Sequence, residues 1–263
     1  MTLRDTAARW LATGQPAVLV EITATRGSAP REAGTRMLVS AREALGTIGG
    51  GRLEWLAIAT ARRLLAPGSG AAVEHHYPLG PALGQCCGGA VTLRYSRLDE
   101  GSLQGWPAAT PRFFLHLYGA GHVGRAIVRL LTGIDCRVQW IDERDSEFPP
   151  DEVLPPHIEK VCVEPVEAEV RVAPPLACYL VLTHDHDLDL RITEAILKRG
   201  DFRYLGLIGS RAKRARFLHR YEARGIPAEV LDRITCPIGV PGIEGKEPEV
   251  IAVAVVAQLL QLG

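Results

Sequence analysis

The sequence has no excess of charge of either sign, because 30 Lys and Arg residues balance 30 Asp and Glu residues. A chain without a basic field is a poor ligand for nucleic acid or an anionic membrane surface, so we expect neither partner. No run approaches the roughly 20 apolar residues of a transmembrane helix. The first residues, Met1–Trp10, also lack the apolar core of a signal peptide. These absences predict a cytoplasmic protein.

Cysteine is sparse, with six residues and no CxxC pair. The missing pair argues against a structural zinc or iron–sulfur site, and the lack of a disulfide framework indicates a reducing compartment. Vicinal Cys86 and Cys87 follow Gln85 and lie between glycines, where thiolates suit a soft metal or nucleophilic chemistry. We expect the other four to be buried, unreactive thiols: Cys136, Cys162, Cys178 and Cys236.

Hydrophobic patterning divides the chain into two parts. Residues 1–98 combine short strand patterns with amphipathic helices, which predicts a small α+β domain. Residues 99–111 contain Gly, Ser, Pro and Thr without periodicity and are interpreted as a linker. From 112 to 263 strand and helix patterns alternate, which indicates a parallel sheet. The predicted class is α/β, with a Rossmann-like C-terminal domain and a smaller N-terminal α+β domain.

A glycine-rich turn opens the second part. A strand pattern runs directly into Gly119-Ala120-Gly121-His122-Val123-Gly124, and a helix pattern follows. In such an arrangement Gly119 permits the tight turn, Gly121 lets the backbone approach a pyrophosphate, and Gly124 allows close packing of helix on strand. The helix N-terminus adds free N–H groups and a positive dipole end, so the turn predicts a phosphate-binding site.

Asp142 strengthens the prediction of a nucleotide-type site. It stands at the end of the next strand pattern, about 18 residues after the glycine turn, close to the spacing of an acid that binds ribose hydroxyls. The same geometry suits any ligand with a phosphate group and a neighbouring diol or pterin edge. The residues alone therefore leave NAD(P) and other anionic cofactors as alternatives.

A third strand pattern ends in the polar run His184–Asp189. Ligands of open α/β sheets sit at the carboxyl ends of the strands, so this run is expected to face the cleft. His184 and His186 are candidates for proton transfer or metal ligation. Asp185 is a candidate ligand residue. The alternative is that Asp185, Asp187 or Asp189 caps the following helix.

The next strand pattern ends at Gly209, and Ser210 and Arg211 follow it. Basic residues such as Arg211 and Lys213 oppose the dipole at a helix N-terminus, which indicates a nearby anion. Another glycine loop, Gly49–Gly51, is also interpreted as a possible anion cradle. It lacks the GK[ST] ending of a P-loop, so ATP binding is not expected.

Together these motifs resemble the XdhC family of xanthine dehydrogenase accessory proteins, which are molybdenum cofactor chaperones. The matching stretches are Thr25–Arg31, Gly46–Glu54, Leu83–Gly89, Gly119–Gly124, Thr183–His186, Gly206–Arg211 and Pro237–Ile243. The wider family includes proteins associated with carbon monoxide dehydrogenase-type enzymes. The ending Gly245–Glu249 looks more like the xanthine dehydrogenase branch.

The resemblance implies an accessory protein rather than an enzyme, with no catalytic residues of its own. It would bind molybdenum cofactor (molybdopterin), protect it, and support its sulfuration by a cysteine desulfurase. It would then insert the cofactor into the molybdenum-binding subunit of xanthine dehydrogenase, and it would be a homodimer. The candidate cofactor-binding residues are Gln85, Cys86, Cys87, Gly119, Gly121, His122, Gly124, Asp142, His184, Asp185, His186, Ser210 and Arg211. Cys86 and Cys87 are also candidate ligands to the molybdenum.

The alternative is an NAD(P)-dependent oxidoreductase that uses the Rossmann-like domain. The glycine turn and Asp142 favour it, with His184 or His186 as the proton donor. The sequence offers little that would identify a substrate for such an enzyme.

Overall fold

The computed structural model describes residues 2–66, 72–80, 88–106, 110–150 and 154–262. The chain divides into two compact units, residues 1–109 and residues 110–263. Within the described ranges, no helix combines the length and apolar character needed to cross a membrane.

The first unit is built on a five-stranded antiparallel sheet. Its strands are Ala17–Arg26 (β1), Arg36–Ser40 (β2), Ala44–Gly46 (β3), Val73–Pro78 (β4) and Ala90–Arg97 (β5). They lie in the order β3-β2-β1-β5-β4. The helices of this unit are Leu3–Ala12 (α1), Gly51–Leu64 (α2) and Glu100–Gln104 (α3).

Strand β1 is buried on both faces at its start, which explains why its sequence is almost continuously apolar. Val18 and Val20 pack in one cluster with Leu53 of α2, while Leu19 packs in another with Trp10 of α1. The helices therefore sandwich the sheet. Each covers it with one apolar stripe.

Part of the predicted linker, 99–111, is helical. Helix α3 forms there because Asp99 caps it, its carboxylate accepting a hydrogen bond from the Ser102 N–H at 2.7 Å. A capping residue stabilises a short helix without any apolar periodicity. That explains why the hydrophobic pattern alone did not indicate a helix.

The second unit contains a six-stranded parallel sheet. Its strands are Phe114–Tyr118 (β6), Arg137–Asp142 (β7), Ile158–Cys162 (β8), Cys178–Val181 (β9), Tyr204–Leu207 (β10) and Ile234–Thr235 (β11). They lie in the order β11-β10-β9-β6-β7-β8. This is the strand order of dinucleotide-binding folds, in which the direction of winding reverses between β6 and β9. The predicted α/β class with a Rossmann-like second domain is confirmed.

Helices cover both faces of the parallel sheet. They are His122–Leu131 (α4), His186–Arg199 (α5), Arg211–Glu222 (α6), Ala228–Leu231 (α7) and Pro248–Leu260 (α8). Helices α4 and α8 share an apolar cluster on one face, and α5 and α6 share another on the opposite face. The connection from β8 to β9 contains only a 3-10 helix, Val166–Arg171, within its described residues.

Candidate functional site

The glycine turn after β6 requires glycine at two of its positions. Gly119 has a φ of 120°, and a Cβ there would lie 2.3 Å from the carbonyl oxygen of Leu182. A Cβ on Gly124 would lie 2.1 Å from the carbonyl oxygen of Gly119. The same carbonyl accepts a hydrogen bond from the Trp140 indole at 3.0 Å. The turn is therefore held tightly from both sides.

The third glycine, Gly121, faces open space. It is the N-cap of α4, its φ is −69°, and no heavy atom lies within 4 Å of the position its Cβ would occupy. No side chain among the described residues caps α4. The adjacent His122 is exposed. The first turn of α4 therefore presents free N–H groups and a positive dipole end, which suit a phosphate or another anion.

The neighbouring helices differ, because side chains satisfy their N-termini. Asp185 caps α5 by accepting a hydrogen bond from the Leu188 N–H at 2.7 Å. Ser210 caps α6 by accepting one from the Lys213 N–H at 3.2 Å. Of these three helix N-termini, only that of α4 lacks a side-chain cap.

Asp142 lies where the sequence predicted, at the carboxyl end of β7, but its carboxylate is fully engaged. It accepts a hydrogen bond from the Ala120 N–H at 2.7 Å and a bidentate pair from Arg144, each at 3.0 Å. Burial alone would raise the pKa of Asp142, but these hydrogen bonds outweigh burial and leave its pKa below the usual range. Asp142 therefore joins the glycine turn to Arg144.

A crevice too narrow to admit a water molecule lies at the carboxyl ends of β7 and β9. Glu143 after β7 and His184 after β9 both line it, with Oε1 and Nε2 3.8 Å apart. Tyr118 lines it as well, and its buried hydroxyl has no partner among the described residues. Glu143 follows β7, the free N–H groups of α4 follow β6, and His184 follows β9. All three therefore lie at the carboxyl edge of the parallel sheet.

The run His184–Asp189 is only partly a loop, because α5 begins at His186. His184 and His186 are exposed, whereas Asp189 is completely buried. Asp189 Oδ1 accepts hydrogen bonds from the N–H and the hydroxyl of Thr183, at 3.0 and 2.7 Å. The carboxylates of Asp185 and Asp189 therefore hold the chain in place, whereas the imidazoles of His184, beside Glu143, and His186 remain exposed.

One expectation at α6 was wrong. Lys213 does not face an outside anion, because it is 6 % exposed and its Nζ lies 2.5 Å from Asp189 Oδ2. It also donates to the Ile208 carbonyl at 2.8 Å. The carboxylate of Asp189 neutralises the positive charge of Lys213, from which a nearby external anion was predicted. Arg211 remains exposed at the N-terminus of α6.

The glycine loop of the first unit is likewise not an empty anion cradle. The carboxylate of Glu54, on α2, accepts hydrogen bonds from the N–H groups of Ile48 and Gly50 at 3.0 and 3.1 Å. The Thr47 hydroxyl donates to the same oxygen at 2.5 Å. The backbone N–H groups that would bind an external anion bind a side chain of the protein itself.

The predicted cysteine site, Gln85, Cys86 and Cys87, lies outside the described residues. The end of this stretch is visible at Gly89, where a Cβ would lie 2.3 Å from the Ser28 carbonyl oxygen. Within the ranges that the structure describes, no three His, Cys, Asp or Glu side chains are grouped to hold a metal.

Cys162 was predicted to be a buried thiol and is exposed. It ends β8, which is an edge strand of the parallel sheet among the described residues. Cys136, Cys178 and Cys236 are buried as predicted, and burial raises the pKa of each thiol.

Sequence reasoning missed two features of this edge: Arg144, which covers Asp142, and the Lys213–Asp189 pair. The pairing of Arg144 with Asp142 could have been predicted, because Arg144 follows this strand-end acid by two positions. The Lys213–Asp189 pair joins residues 24 positions apart in the chain, so no local pattern marks it.

Both units match family models. Residues 10–77 match the model described as the XdhC and CoxI family, and residues 115–259 match the XdhC Rossmann domain. The chain is 30% identical over 258 residues to the uncharacterized protein YqeB of Escherichia coli (strain K12). That match covers 94% of this chain and 43% of YqeB, so the chain spans less than half of its curated relative.

A solved structure has a similar fold. The crystal structure of a xanthine dehydrogenase from Bacillus halodurans superposes with a TM-score of 0.79, covering 100% of this chain and 96% of that chain. The sequence identity is 20%. At that level the likeness shows a common fold.

Proposed function

The chain belongs to the XdhC and CoxI family, and from that premise we propose that it is an accessory protein in the maturation of a xanthine dehydrogenase-type molybdoenzyme. In this role it binds molybdenum cofactor, protects it, and supports its sulfuration by a cysteine desulfurase. It then delivers the cofactor to the molybdenum-binding subunit of the client enzyme. We further propose that it acts in the cytoplasm as a homodimer.

The observation that carries the proposal is the open N-terminus of α4. Molybdopterin ends in a phosphate, and the uncapped first turn at Gly121 and His122 is suited to an anion of that size. His184 and Arg211 are exposed at the ends of nearby strands and supply polar and cationic contacts.

Gln85, Cys86 and Cys87 are proposed to serve the sulfur-rich end of the same ligand. The cofactor supplies a molybdenum centre with soft sulfur chemistry, and paired thiols are the matching donors from a protein chain. Five of the candidate residues support the ligand indirectly, because they hold the turns in place and have no side chain free to contact it. They are Gly119, Gly124, Asp142, Asp185 and Ser210. His186, exposed at the start of α5, is placed with His184 among the groups that contact the ligand.

The engagement of Asp142 separates this proposal from the NAD(P)-dependent oxidoreductase. A dinucleotide enzyme needs that carboxylate to accept hydrogen bonds from ribose hydroxyls. Here Ala120 and Arg144 already donate to both of its oxygens. A nicotinamide dinucleotide would have to displace a bidentate, partly buried Arg–carboxylate pair, which is among the stronger side-chain interactions.

The test is recovery of cofactor with the protein. The chain is purified from cells that make molybdenum cofactor and from cells that do not, and bound cofactor is measured as its fluorescent oxidised pterin. We expect recovery from the first cells only. Gly121→Ala should reduce it at least about tenfold by filling the open space before α4, equivalent to about 1.4 kcal/mol. Arg129→Ala, an exposed change farther along α4, is the matched control.

Further results test the thiol role and the accessory role separately. Loss of recovery in a Cys86→Ser/Cys87→Ser variant supports the thiol role, and unchanged recovery removes it. No cofactor with the wild-type protein, together with micromolar binding of NAD or NADH in calorimetry, would overturn the accessory role in favour of the oxidoreductase.

A further inference from the structure

A row of polar side chains crosses the parallel sheet on one of its covered faces. Gln139 of β7, His116 of β6 and Tyr179 of β9 are direct partners in the strand register, so their side chains share that face. The His116 and Tyr179 rings lie 5.5 Å apart. Strands covered by helices on both faces are normally apolar, so such a row is unexpected.

Each member of the row carries a buried polar atom without a partner among the described residues. These atoms are Gln139 Oε1, His116 Nδ1 and the Tyr179 hydroxyl oxygen. His116 and Tyr179 are 2 % and 1 % exposed. A buried polar atom without a hydrogen bond is costly in free energy. Three such atoms in one row therefore indicate groups that form hydrogen bonds with a bound molecule.

The row opens into a cavity of about 230 Å³, which His116 and Gln139 line together with Phe114 and Pro174. From the β8–β9 connection, whose described part contains only the 3-10 helix Val166–Arg171, Pro174 reaches the cavity. Its volume lies below the range of about 300–1,000 Å³ typical for drug-sized ligands. The occupant must be small.

The charged side chains that line the cavity, Arg137 and Glu159, are both exposed, so neither places a buried charge at His116. Burial, with the charge of Arg199, lowers the pKa of His116 to about 4, so the imidazole is neutral near pH 7. Arg199 itself forms a bidentate pair with Asp201, at 2.6 and 3.0 Å, and donates to two backbone carbonyls. The inner wall therefore presents neutral donors and acceptors.

We propose that this cavity binds an uncharged, planar heterocycle of nucleobase size, whose edge pairs with Gln139 and His116. A glutamine amide pairs well with a heterocycle that has an adjacent donor and acceptor, as it does with adenine. Phe114, 41 % exposed, supplies an aromatic surface for the ring. The site is independent of the cofactor proposal, because it lies nearer the amino end of β6 and the glycine turn follows the carboxyl end.

The test uses the full chain and two probes, adenine and uracil, in ligand-observed NMR and calorimetry. Benzoate and toluene serve as the anionic and apolar comparisons. We expect one of the two heterocycles to bind, and Gln139→Met and His116→Leu each to weaken it at least about tenfold, as expected for a lost hydrogen bond in a buried site. Gln139→Met preserves side-chain length, so it tests the idea even if the His116 variant does not fold.

Melting temperatures supply a second readout. Gln139→Met should raise the Tm of the free protein while it weakens binding, because it removes an unsatisfied acceptor. Tyr204→Phe is the matched control: its hydroxyl already donates to Gln258 Oε1 at 2.6 Å. This variant should lower the Tm and leave binding unchanged.

Four results would each overturn the proposal. They are no binding of adenine or uracil at millimolar concentration, equal binding by Gln139→Met, tighter binding of toluene or benzoate, and a fall in Tm for Gln139→Met. The last would mean that ordered water already satisfies Gln139. None of these results depends on whether the protein carries molybdenum cofactor.

Discussion

Arg144 covers the carboxylate of Asp142, with its Nε 3.0 Å from Oδ1 and its Nη2 3.0 Å from Oδ2. Two residues that stand two positions apart in sequence thus close the position where a dinucleotide enzyme would bind ribose. The Ala120 N–H completes the arrangement at 2.7 Å and ties the pair to the glycine turn. The ion pair therefore has a structural role at the edge of the proposed site.

Replacing Arg144 with Ala should lower the free energy of unfolding by about 1–3 kcal/mol near pH 7, because a buried carboxylate loses its bidentate partner. The folded-state pKa of Asp142 lies below its unfolded value of 3.8, so this stabilisation is present above about pH 4 and is lost as the pH falls further. Urea denaturation at pH 7 and pH 3 measures both effects.

The matched control is Arg129→Ala, which removes an exposed ion pair with Glu249 whose atoms are 3.7 Å apart. Its effect should stay within about 0.5 kcal/mol. Equal losses for the two variants would show that Arg144 contributes no more than a surface charge.

Two glycines of the same turn should respond differently to alanine. Gly124→Ala should cost about 1–3 kcal/mol or more, because the new Cβ would lie 2.1 Å from the Gly119 carbonyl oxygen. Gly121→Ala should change stability by less than about 1 kcal/mol, because its φ of −69° suits any residue and its surroundings are open. Thermal and chemical unfolding of both variants would check this. A large loss with Gly121→Ala would contradict it.

The Lys213–Asp189 pair should behave as a buried ion pair. Lys213→Met should destabilise the chain by about 3–5 kcal/mol, because Asp189 is then left charged and buried. Adding Asp189→Asn should restore part of the loss, since the amide oxygen still accepts from Thr183 while the charge disappears. A double-mutant cycle by urea denaturation measures the coupling. Additive losses would argue against a direct interaction between the two side chains.

His116 should impose an acid limit on stability. Its folded-state pKa is about 4 against 6.5 for an ordinary histidine, so the unfolded chain binds a proton between these values that the folded chain does not. Stability should therefore fall by about 3 kcal/mol as the pH decreases from 6.5 to 4. The His116→Leu variant should lack this component when urea denaturation is followed across that window. Parallel pH profiles for both proteins would contradict the assignment.

Much of the fold follows from local patterns. The alternation of strands and helices after residue 112 predicts the parallel sheet, and the strand before Gly119 places the glycine turn at its carboxyl edge. Strand β11 was not predicted because Ile234–Thr235 is too short to show a period. Helix α3 was not predicted because it depends on a cap rather than on an apolar stripe.

The positions of the site residues could be predicted where they follow from the backbone topology. The partners of their side chains could not. Parallel topology alone brings Asp142, His184 and Ser210 to the same edge of the sheet. Whether an acid or a base there is free depends on partners elsewhere in space. Asp189 neutralises Lys213, and Glu54 occupies the glycine loop of the first unit. A single sequence carries no signal for such pairings.

The hydrogen bond between Trp140 and Gly119 has a practical consequence. The chain has four tryptophans, and Trp140 is the only one after residue 109. Its indole is fully buried against Phe148 and donates directly to the carbonyl of Gly119 in the glycine turn. Indole emission depends on the polarity and hydrogen bonding around the ring, so Trp140 serves as a built-in fluorophore for this turn. With the other three tryptophans replaced by phenylalanine, changes at this turn can be followed by intrinsic tryptophan fluorescence, without a label.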